Sequence, residues 1–198
     1  MTAEGIRAVL EELRLAREVE LKAQHNRSLP FADGLFDRWE RARRLGFGDG
    51  ASIYDSACVF GDVRVGVETW IGPWVMLDGS GGGIHIGSTC SLSASVHVYT
   101  HDTVLWALSG GKAIPRRGSV SIGNRVYIGS QSVIARGVTI GEMCVVAANS
   151  FVNRDVPARS IVGGTPARII GHIEGDGEDC LLVFDGALFA QLSRGDSA

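Results

Sequence analysis

Two adjacent side chains, those of His101 and Asp102, have the chemistry needed for proton transfer. A histidine has an ordinary pKa of about 6.5, so near neutral pH it can take a proton from a substrate and later return it. The carboxylate of Asp102 can orient that imidazole or contact a substrate instead. Because successive side chains of a strand point to opposite faces, direct pairing of the two needs a bend. His101 is therefore a candidate general base, and Asp102 is assigned one of these two supporting roles.

The segments on both sides of this pair repeat with a period of six residues. An α-helix repeats every 3.6 residues and a simple strand every two, so neither element produces this spacing. Fourteen aliphatic positions follow the rule: Ile53, Val59, Val65, Ile71, Leu77, Ile86, Leu92, Val98, Ile122, Ile128, Ile134, Ile140, Val146 and Val152.

A small or β-branched side chain usually follows four residues later, and glycine often follows directly. These secondary positions are Ala57, Val63, Thr69, Val75, Cys90, Val96, Val126, Ser132, Val138, Cys144, Ser150 and Val156. Short strands separated by tight corners need an inward aliphatic residue, a permissive corner and a small inward neighbour. Each hexapeptide then forms one face of a triangular coil, and stacked coils bury a common core. The pattern predicts a mainly β protein whose central part, residues 49–171, is a parallel β-helix.

Two interruptions break the six-residue register. The first, Gly79 to Gly83, lacks the lysine of a phosphate-binding P-loop and the hydroxyl residue that follows that lysine, so we expect an insertion at a corner. The second spans about residues 103–118, and loops of this length on a rigid scaffold tend to be functional. We predict a substrate lid in which Trp106 stacks on a sugar and Lys112 supplies a charge, with Tyr99 as a further substrate contact. The alternative for Trp106 and Lys112 is ordinary anchoring of the loop.

The N-terminal segment, residues 1–48, is predicted to contain two helices that pack on a larger body. The first is closed by Pro30, and the second begins with Asp33 as N-cap and stops at Gly46. The apolar positions of the first helix are Ile6, Val9, Leu10, Leu13 and Ala16, and those of the second are Leu35, Phe36, Trp39 and Ala42.

The C-terminal tail, residues 172–198, contains two short apolar stretches. We expect a strand over residues 181–184 and a helical turn over residues 187–192. Together they are predicted to cap the open end of the solenoid, whose exposed edge would otherwise invite pairing with another chain.

Composition limits the classes of protein that the chain can represent. With 198 residues, 45% of them hydrophobic, it is long enough for one domain with an appendage. The 27 glycines beside five prolines argue against disorder and against a helical bundle. A net charge of −3 gives no reason to expect nucleic acid or an anionic membrane as partner. The N-terminus lacks the apolar run of a signal peptide or membrane span, and the four dispersed cysteines are expected to be reduced thiols. These features predict a cytoplasmic protein.

Three stretches carry a resemblance to a known family: VYTHDT at 98–103, VYIGSQSVIARGVTIGEMCVVAANSFVNRDVP at 126–157 and GGTPARIIG at 163–171. Together with the hexapeptide rhythm they resemble the hexapeptide-repeat acetyltransferases, most closely the branch that O-acetylates sugars, serine or polysaccharide precursors. The likeness covers roughly residues 50–171. It implies a left-handed β-helix and a homotrimer with coenzyme sites between neighbouring subunits. The GTPAR signature closes the β-helix beside the coenzyme in this family.

The activity implied by the resemblance is O-acetylation, by acetyl-CoA, of a hydroxyl on a sugar or on a polysaccharide or lipopolysaccharide precursor. His101 matches the position of the family's catalytic histidine. By matching position, the pantetheine arm of acetyl-CoA would follow small residues and the nucleotide end would meet polar ones. The first set is Gly129, Ser130, Ala147 and Ala148, and the second is Arg154, Thr165, Ala167 and Arg168. The alternative for the two arginines is that they are solvated charges at the end of the solenoid.

Two further histidines, His85 and His97, invite comparison with carbonic anhydrases built on the same β-helix. A catalytic zinc needs three converging ligands and an open position. The spacing of His97 to His101 is one residue shorter than the pair of that family, so we expect both histidines to face outward and no metal to bind. Two other functions stay open: N-acetylation of an amino sugar attached to a nucleotide, and a non-catalytic hexapeptide protein that serves as an assembly platform.

Overall fold

The computed structural model describes residues 2–185 of the chain. The helices in this range are α1 (Ala3–His25), α2 (Phe31–Leu35), α3 (Arg38–Arg44) and α4 (Val104–Leu108), with a 3-10 turn at Gly177–Asp179. The strands in this range are β1 (Ser52–Ile53), β2 (Cys58–Val65), β3 (Trp70–Ile71), β4 (Met76–Ile86), β5 (Ser91–Leu92), β6 (His97–Tyr99), β7 (His101–Asp102), β8 (Arg116–Arg117), β9 (Val120–Ile122), β10 (Tyr127–Ile128), β11 (Val133–Ile134), β12 (Thr139–Ile140), β13 (Val145–Val146), β14 (Phe151–Val152), β15 (Ser160–Gly164), β16 (Ala167–Glu174) and β17 (Leu181–Phe184).

Parallel hydrogen-bonded ladders join the strands of successive coils, so residues at equivalent positions of each coil stack above one another. This register places the aliphatic repeat positions in three columns. The first column is Ile53, Ile71, Leu92, Ile128, Val146 and Val162; the second is Val59, Leu77, Val98, Ile134 and Val152; the third is Val65, Ile86, Ile122 and Ile140. The predicted left-handed parallel β-helix is confirmed.

The three columns form the hydrophobic core. All fourteen predicted aliphatic positions are buried except Val59, which is partly buried. All twelve secondary positions are buried except Val63. Buried hydroxyls among them are satisfied by backbone carbonyls: Thr69 donates to Gly87 at 2.8 Å and Ser132 donates to Ala147 at 2.9 Å. Because each fully buried aliphatic side chain stabilises the fold by about 1.5–3 kcal/mol, these columns hold the coils together.

The helix α3 covers the first coil. Ala42, on α3, and Phe47, just after it, belong to the core. The guanidinium of Arg41 donates to the carbonyl of Tyr54 and, at 2.8 Å, to that of Ala57. In the next coil the equivalent carbonyl, that of Val75, accepts from the N–H of Cys58 at 2.8 Å. Arg41 therefore takes the place of such a donor for the carbonyl of Ala57.

The single helix predicted from Asp33 to Gly46 is wrong, because the structure has two. Phe36 is extended between α2 and α3, and Asp37 is the N-cap of α3, accepting a hydrogen bond from the N–H of Glu40 at 2.7 Å. Asp33 lies inside α2, where its carboxylate accepts a hydrogen bond from the N–H of Ser56 at 2.8 Å. A contact with the first coil thus outweighs the local capping preference. The predicted stop at Gly46, which has φ +72°, is confirmed.

The first helix ends earlier and packs less than expected. It stops at His25, with Asn26 in the left-handed conformation as C-cap, while Pro30 becomes the N-cap of α2. No residue of α1 is buried within this chain. One contact of α1 with the rest of the chain is the hydrogen bond that Arg17 donates to the carbonyl of Gly34 at 3.1 Å. The predicted packing of the apolar stripe on a larger body is therefore wrong for the single chain.

The tail extends the β-helix sheet at its C-terminal end. Strand β15 pairs with β13 in parallel, whereas β16 and β17 add to it in antiparallel fashion. The predicted strand over residues 181–184 is confirmed. The expected boundary at residue 171 falls inside β16. The predicted helical turn over residues 187–192 lies outside the described residues.

Both interruptions lie where the chain leaves the regular coil. The strand β4 runs through the glycine-rich insertion, with its first residues on the β6 ladder and its last on the β9 ladder, so the predicted corner insertion is confirmed. The longer interruption begins and ends in a short antiparallel pair, β7 with β8, and contains α4. We call residues 101–117 the excursion hairpin.

All four cysteines are free thiols. Cys90 and Cys144 occupy the small inward positions, and burial raises the pKa of both thiols.

Within residues 2–185, none of the helices combines the length and apolar character that a membrane span requires.

Replacing Ile128 by Ala removes a fully buried side chain from the middle of the first column. We expect a loss of about 2–5 kcal/mol in the free energy of unfolding, because the rigid coils cannot collapse around the cavity. Urea denaturation monitored by circular dichroism measures it. The control is Ile114→Ala, at a residue that is 83% exposed, which should change the free energy by less than about 0.5 kcal/mol. Equal effects of the two substitutions would contradict the assignment of the core.

Candidate active site

The backbone turn that presents His101 is fixed by the buried side chain of Thr100. Its hydroxyl donates to the carbonyl of Asp78 at 2.7 Å and accepts from the N–H of Gly81 at 2.8 Å. A Cβ added at Gly81 would lie 2.4 Å from the carbonyl oxygen of Thr100 and 2.6 Å from the Cβ of His101. The glycine-rich insertion therefore packs directly against the backbone of the candidate base, and only glycine fits there.

Asp78 is the acid that faces His101. The Nδ1 of His101 lies 3.7 Å from the Oδ2 of Asp78 and is buried without a hydrogen-bond partner among the described residues. The other carboxylate oxygen of Asp78 accepts from the N–H of Ser80 at 3.1 Å and from its hydroxyl at 2.5 Å. A modest closure would bring Nδ1 and the carboxylate into hydrogen-bond distance, as apo sites often require. The imidazole then has its Nε2 available for a substrate.

Asp78 was missed by the sequence prediction, although a signal for it exists. It follows Leu77 just as Tyr99 follows Val98, and the structure pairs Asp78 with Tyr99 in adjacent coils. The repeat therefore places an acid on the strand beside VYTHD. Asp78 stands 23 positions before His101, so proximity in the chain does not reveal the pair.

The carboxylate of Asp102 is paired with two arginines, and no hydrogen bond joins it to His101 among the described residues. It accepts hydrogen bonds from Arg136 at 2.5 Å and from Arg116 at 3.1 Å. These contacts lower the pKa of Asp102 to about 2, and the hydrogen bond from Arg136 is the largest cause. Arg116 and the N–H of Val104 lower the pKa further, whereas desolvation opposes the shift. Asp102 is thus engaged on the side of the hairpin away from His101. It ties the excursion hairpin to the coil that carries Arg136.

The three predicted substrate contacts are only partly free. The hydroxyl of Tyr99 lies 3.1 Å from the Nδ1 of His97, and the two rings meet edge to face. Trp106 is about half exposed and Lys112 is exposed, both within the excursion hairpin. Their side chains are therefore available to a ligand, while Tyr99 is already engaged with His97.

The predicted pantetheine residues share one corner of consecutive coils. A Cβ at Gly129 would lie 2.5 Å from the backbone nitrogen of Ala148, so the two coils touch there. Ala147 and Gly163 continue the same corner, and a Cβ at Gly163 would be 3.2 Å from that of Ala147. Ser130 is half-buried beside Gly129. The result is a strip of small residues along which consecutive coils lie close together.

The predicted nucleotide-end residues lie around the last coil. Arg154, Ala167 and Arg168 line one cleft of about 170 Å³. The hydroxyl of Thr165 donates to the carbonyl of Asn149 at 3.1 Å, which fixes the turn between β15 and β16. The structure thus brings three of the four residues into a common cleft, with Thr165 at the neighbouring turn.

No group of three or more His, Cys, Asp or Glu side chains within residues 2–185 is placed to hold a metal ion. His85 is exposed, and His97 contacts Tyr99. The predicted outward positions of these histidines agree with the structure.

Comparison with known proteins connects this geometry to a family. The sequence model described as "Hexapeptide repeat of succinyl-transferase" matches residues 119–154. The chain is 46% identical over 54 residues to the galactoside O-acetyltransferase of Escherichia coli strain K12, a match that covers 27% of each chain. This alignment therefore spans about a quarter of that curated relative.

Two solved structures extend the likeness. A hexapeptide-repeat-containing acetyltransferase from Vibrio cholerae O1 biovar eltor, complexed with acetyl coenzyme A, is 34% identical with a TM-score of 0.56, covering 83% of this chain and 89% of its own. A variant of AntD, an N-acyltransferase from Bacillus cereus in complex with dTDP and coenzyme A, is 27% identical with a TM-score of 0.58, covering 64% of this chain and 72% of its own. The chain belongs to the hexapeptide-repeat acetyltransferase family.

Replacing Asp102 by Asn removes the charge that holds both Arg116 and Arg136. We expect the excursion hairpin to open more often, so trypsin should cleave after Lys112 several-fold faster, which timed digestion and mass spectrometry would show. The control is Asp176→Asn, which breaks a comparable exposed ion pair with Arg125 near the C-terminal turn. Unchanged cleavage in Asp102→Asn would exclude this carboxylate as the tie of the hairpin.

The pairing of Asp102 with Arg116 and Arg136 also predicts the pH range over which the excursion hairpin stays tied to the coil. A carboxylate whose pKa is lowered on folding stabilises the fold fully above its ordinary pKa near 4, and the contribution is lost as pH falls through about 2. The Asp102 carboxylate should therefore stay ionised and paired from pH 8 to pH 5, so its side-chain carboxyl carbon should keep its chemical shift over that range in nuclear magnetic resonance spectra. A shift of that carbon signal typical of carboxylate protonation within the range would contradict it.

Proposed function

We propose that this protein transfers the acetyl group of acetyl-CoA to a hydroxyl of a sugar or of a polysaccharide or lipopolysaccharide precursor, with His101 as general base. The observation that carries the proposal is the enclosed Nδ1 of His101 beside Asp78. A carboxylate on that side favours the tautomer that bears its proton on Nδ1. Nε2 is then unprotonated and can accept the proton of an attacking hydroxyl.

The reaction follows from this arrangement. The acceptor oxygen attacks the thioester carbonyl while its proton passes to Nε2 of His101, forming a carbon–oxygen bond. The tetrahedral intermediate then collapses, the carbon–sulfur bond breaks, and the imidazolium returns its proton to the departing thiolate of CoA. Asp78 balances the positive charge on the ring between the two transfers. The backbone N–H or the hydroxyl of Ser130 is the proposed oxyanion donor, because the N–H groups of Gly129 and Gln131 already donate to backbone carbonyls.

The coenzyme path is proposed along the strip of small residues at 129, 130, 147 and 148. Support comes from the close approach of Gly129 to Ala148 and from the acetyl-CoA complex of the Vibrio cholerae relative. Arg154 and Arg168 in the cleft of the last coil would meet the phosphates, since a guanidinium can bind phosphate oxygens in a fork. Thr165 and Ala167 would shape the turn beside them.

The assembly is proposed to be a cytoplasmic homotrimer. The family resemblance motivates it, and a closed cyclic arrangement would let one subunit complete the site of its neighbour. The exposed stripe of α1 leaves apolar surface outside the single chain, which supports association.

A second candidate is N-acylation of an amino sugar carried by a nucleotide. The AntD likeness favours it, because that relative is an N-acyltransferase solved with dTDP. An amine acceptor would use the same coenzyme path and a different acceptor pocket. Acetylation assays on matched hydroxyl and amino sugars distinguish the two. The non-catalytic platform is the third candidate, and it would hold if acetyl-CoA failed to bind.

Replacing His101 by Ala should lower kcat/KM for acetyl transfer by about 10²–10⁴-fold, since it removes the base. Asp78→Asn should lower kcat by a smaller factor while the KM for acetyl-CoA and the melting temperature stay constant, and Asp78→Glu should recover part of the loss. Release of CoA, followed with a thiol reagent, gives the rates.

The matched control is His172→Ala, at an exposed histidine paired with Glu174, which should keep wild-type kinetics. Full activity in His101→Ala would refute the mechanism. An equal fall of stability and kcat in Asp78→Asn would assign that residue to folding alone.

Replacing Arg168 by Gln should weaken binding of acetyl-CoA about tenfold and leave binding of dephospho-CoA unchanged, because only the former carries the 3′-phosphate. Calorimetric titration measures both affinities, with Arg64→Gln as control at an arginine paired to Asp62. Sedimentation of the same sample should give three times the 21.0-kDa mass of the chain. Trimeric protein that binds no acetyl-CoA would support the platform instead.

A further inference from the structure

The charge along the chain is uneven around the candidate base. Between Asp78 and Glu142 the sequence has one acidic residue, Asp102, but five basic ones, in a chain whose net charge is −3. The basic residues are Lys112, Arg116, Arg117, Arg125 and Arg136. Three of these five belong to the excursion hairpin. Arg125 is paired with Asp176. The other four cations outnumber the two acids near the base, Asp78 and Asp102, so the region around His101 is cationic within an acidic protein.

The strand register places one of these cations beside the base. In the β7–β8 pair, His101 is opposite Arg117 and Asp102 is opposite Arg116. Side chains directly opposite each other in an antiparallel pair lie on the same face, with Cβ atoms about 4.5–5.5 Å apart. The ion pair of Asp102 with Arg116 shows this for one face of the hairpin. Arg117 therefore shares the other face with His101.

Arg117 differs from its neighbours in being unengaged. The carboxylate of Asp102 holds both Arg116 and Arg136. Arg117 is exposed, and its guanidinium has no ion pair or hydrogen bond in the part of the chain that the structure describes. Asp78, the acid on the other side of His101, is largely buried and is held by Ser80. Five N–H donors thus face solvent next to the reacting position.

We propose that Arg117 forms an anion-binding subsite for the acceptor, so that the acceptor is a sugar bearing a phosphate or carboxylate group. This inference rests on the proposed function, because it takes His101 as the base. The guanidinium binds two oxygens of the anionic group in a fork and orients a hydroxyl or amine of the sugar toward Nε2 of His101. Lys112, on the same hairpin, adds to the positive field that attracts such an acceptor.

The test uses sugars that differ in the anionic group alone. Galactose, galactose 1-phosphate and galacturonic acid are titrated by calorimetry into wild-type protein saturated with CoA, so that the coenzyme site is already filled. We expect binding of one or both anionic sugars at least tenfold tighter than that of galactose. Comparison of the titrations with galactose 1-phosphate and with galacturonic acid identifies whether a phosphate or a carboxylate is preferred. Equal affinity for all three, or binding of none, would overturn the proposal.

The residue assignment is tested with Arg117→Gln and Arg117→Lys. We expect Arg117→Gln to lose about tenfold or more in affinity for the preferred anionic sugar, with part of it recovered by Arg117→Lys, which keeps the charge without the fork. The control Arg43→Gln removes an exposed charge on α3 and should bind as wild type does.

Acetyl-CoA affinity of the same variants separates the outcomes. Unchanged acetyl-CoA binding with lost sugar binding supports the proposal, and lost acetyl-CoA binding in Arg117→Gln would assign the arginine to the coenzyme and overturn it. Failure of wild-type protein to bind CoA at all would instead defeat the proposed function. The two failures are therefore distinguishable.

Discussion

The structure depends on one constraint, the strict vertical register of the three aliphatic columns. A strand of two or three residues cannot stay folded by itself, since it makes few hydrogen bonds and buries one side chain. Stacked on its neighbours, the same strand has backbone partners on both sides and places its aliphatic residue within a continuous core. A shift by one residue would turn every inward side chain outward. The register is therefore the condition under which the short strands exist.

The candidate site is a product of the same register. His101 and Asp78 are 23 positions apart in the chain, yet adjacent coils bring them to 3.7 Å. Arg136 reaches Asp102 from a later coil in the same way. Each contact is made between loops or strand ends whose backbones are fixed by the stacked columns. Rigid corners thus fix the positions of the side chains at the candidate site, while the excursion hairpin leaves the regular coil beside it.

Much of this architecture could be predicted from the sequence. The six-residue period located the coils and both interruptions, because inward packing selects residue size at every sixth position. The VYTHD motif located His101. Contacts between coils were harder to predict. The pairing of Asp102 with Arg136 depends on the length and conformation of the arginine side chain. Asp78 could be found beside His101 only by aligning equivalent positions of successive coils. The break at Phe36 was missed because Asp33, a good local cap, is recruited by Ser56 in the first coil. Tertiary contacts of this kind leave no local pattern.

The excursion hairpin also has a consequence for how the protein can vary. Val98 and Ile122 occupy successive repeat positions but stand 24 residues apart instead of six, and the columns continue undisturbed on either side. The hairpin is anchored at its base by β7 with β8 and by Asp102, so its tip contributes nothing to the stacking. Exchange of the tip, residues 104–115, for a segment of another length or charge would leave the solenoid and His101 in place. Under the proposed function, acceptor preference and folding are encoded in separate parts of the chain, so the former can diverge without loss of the latter.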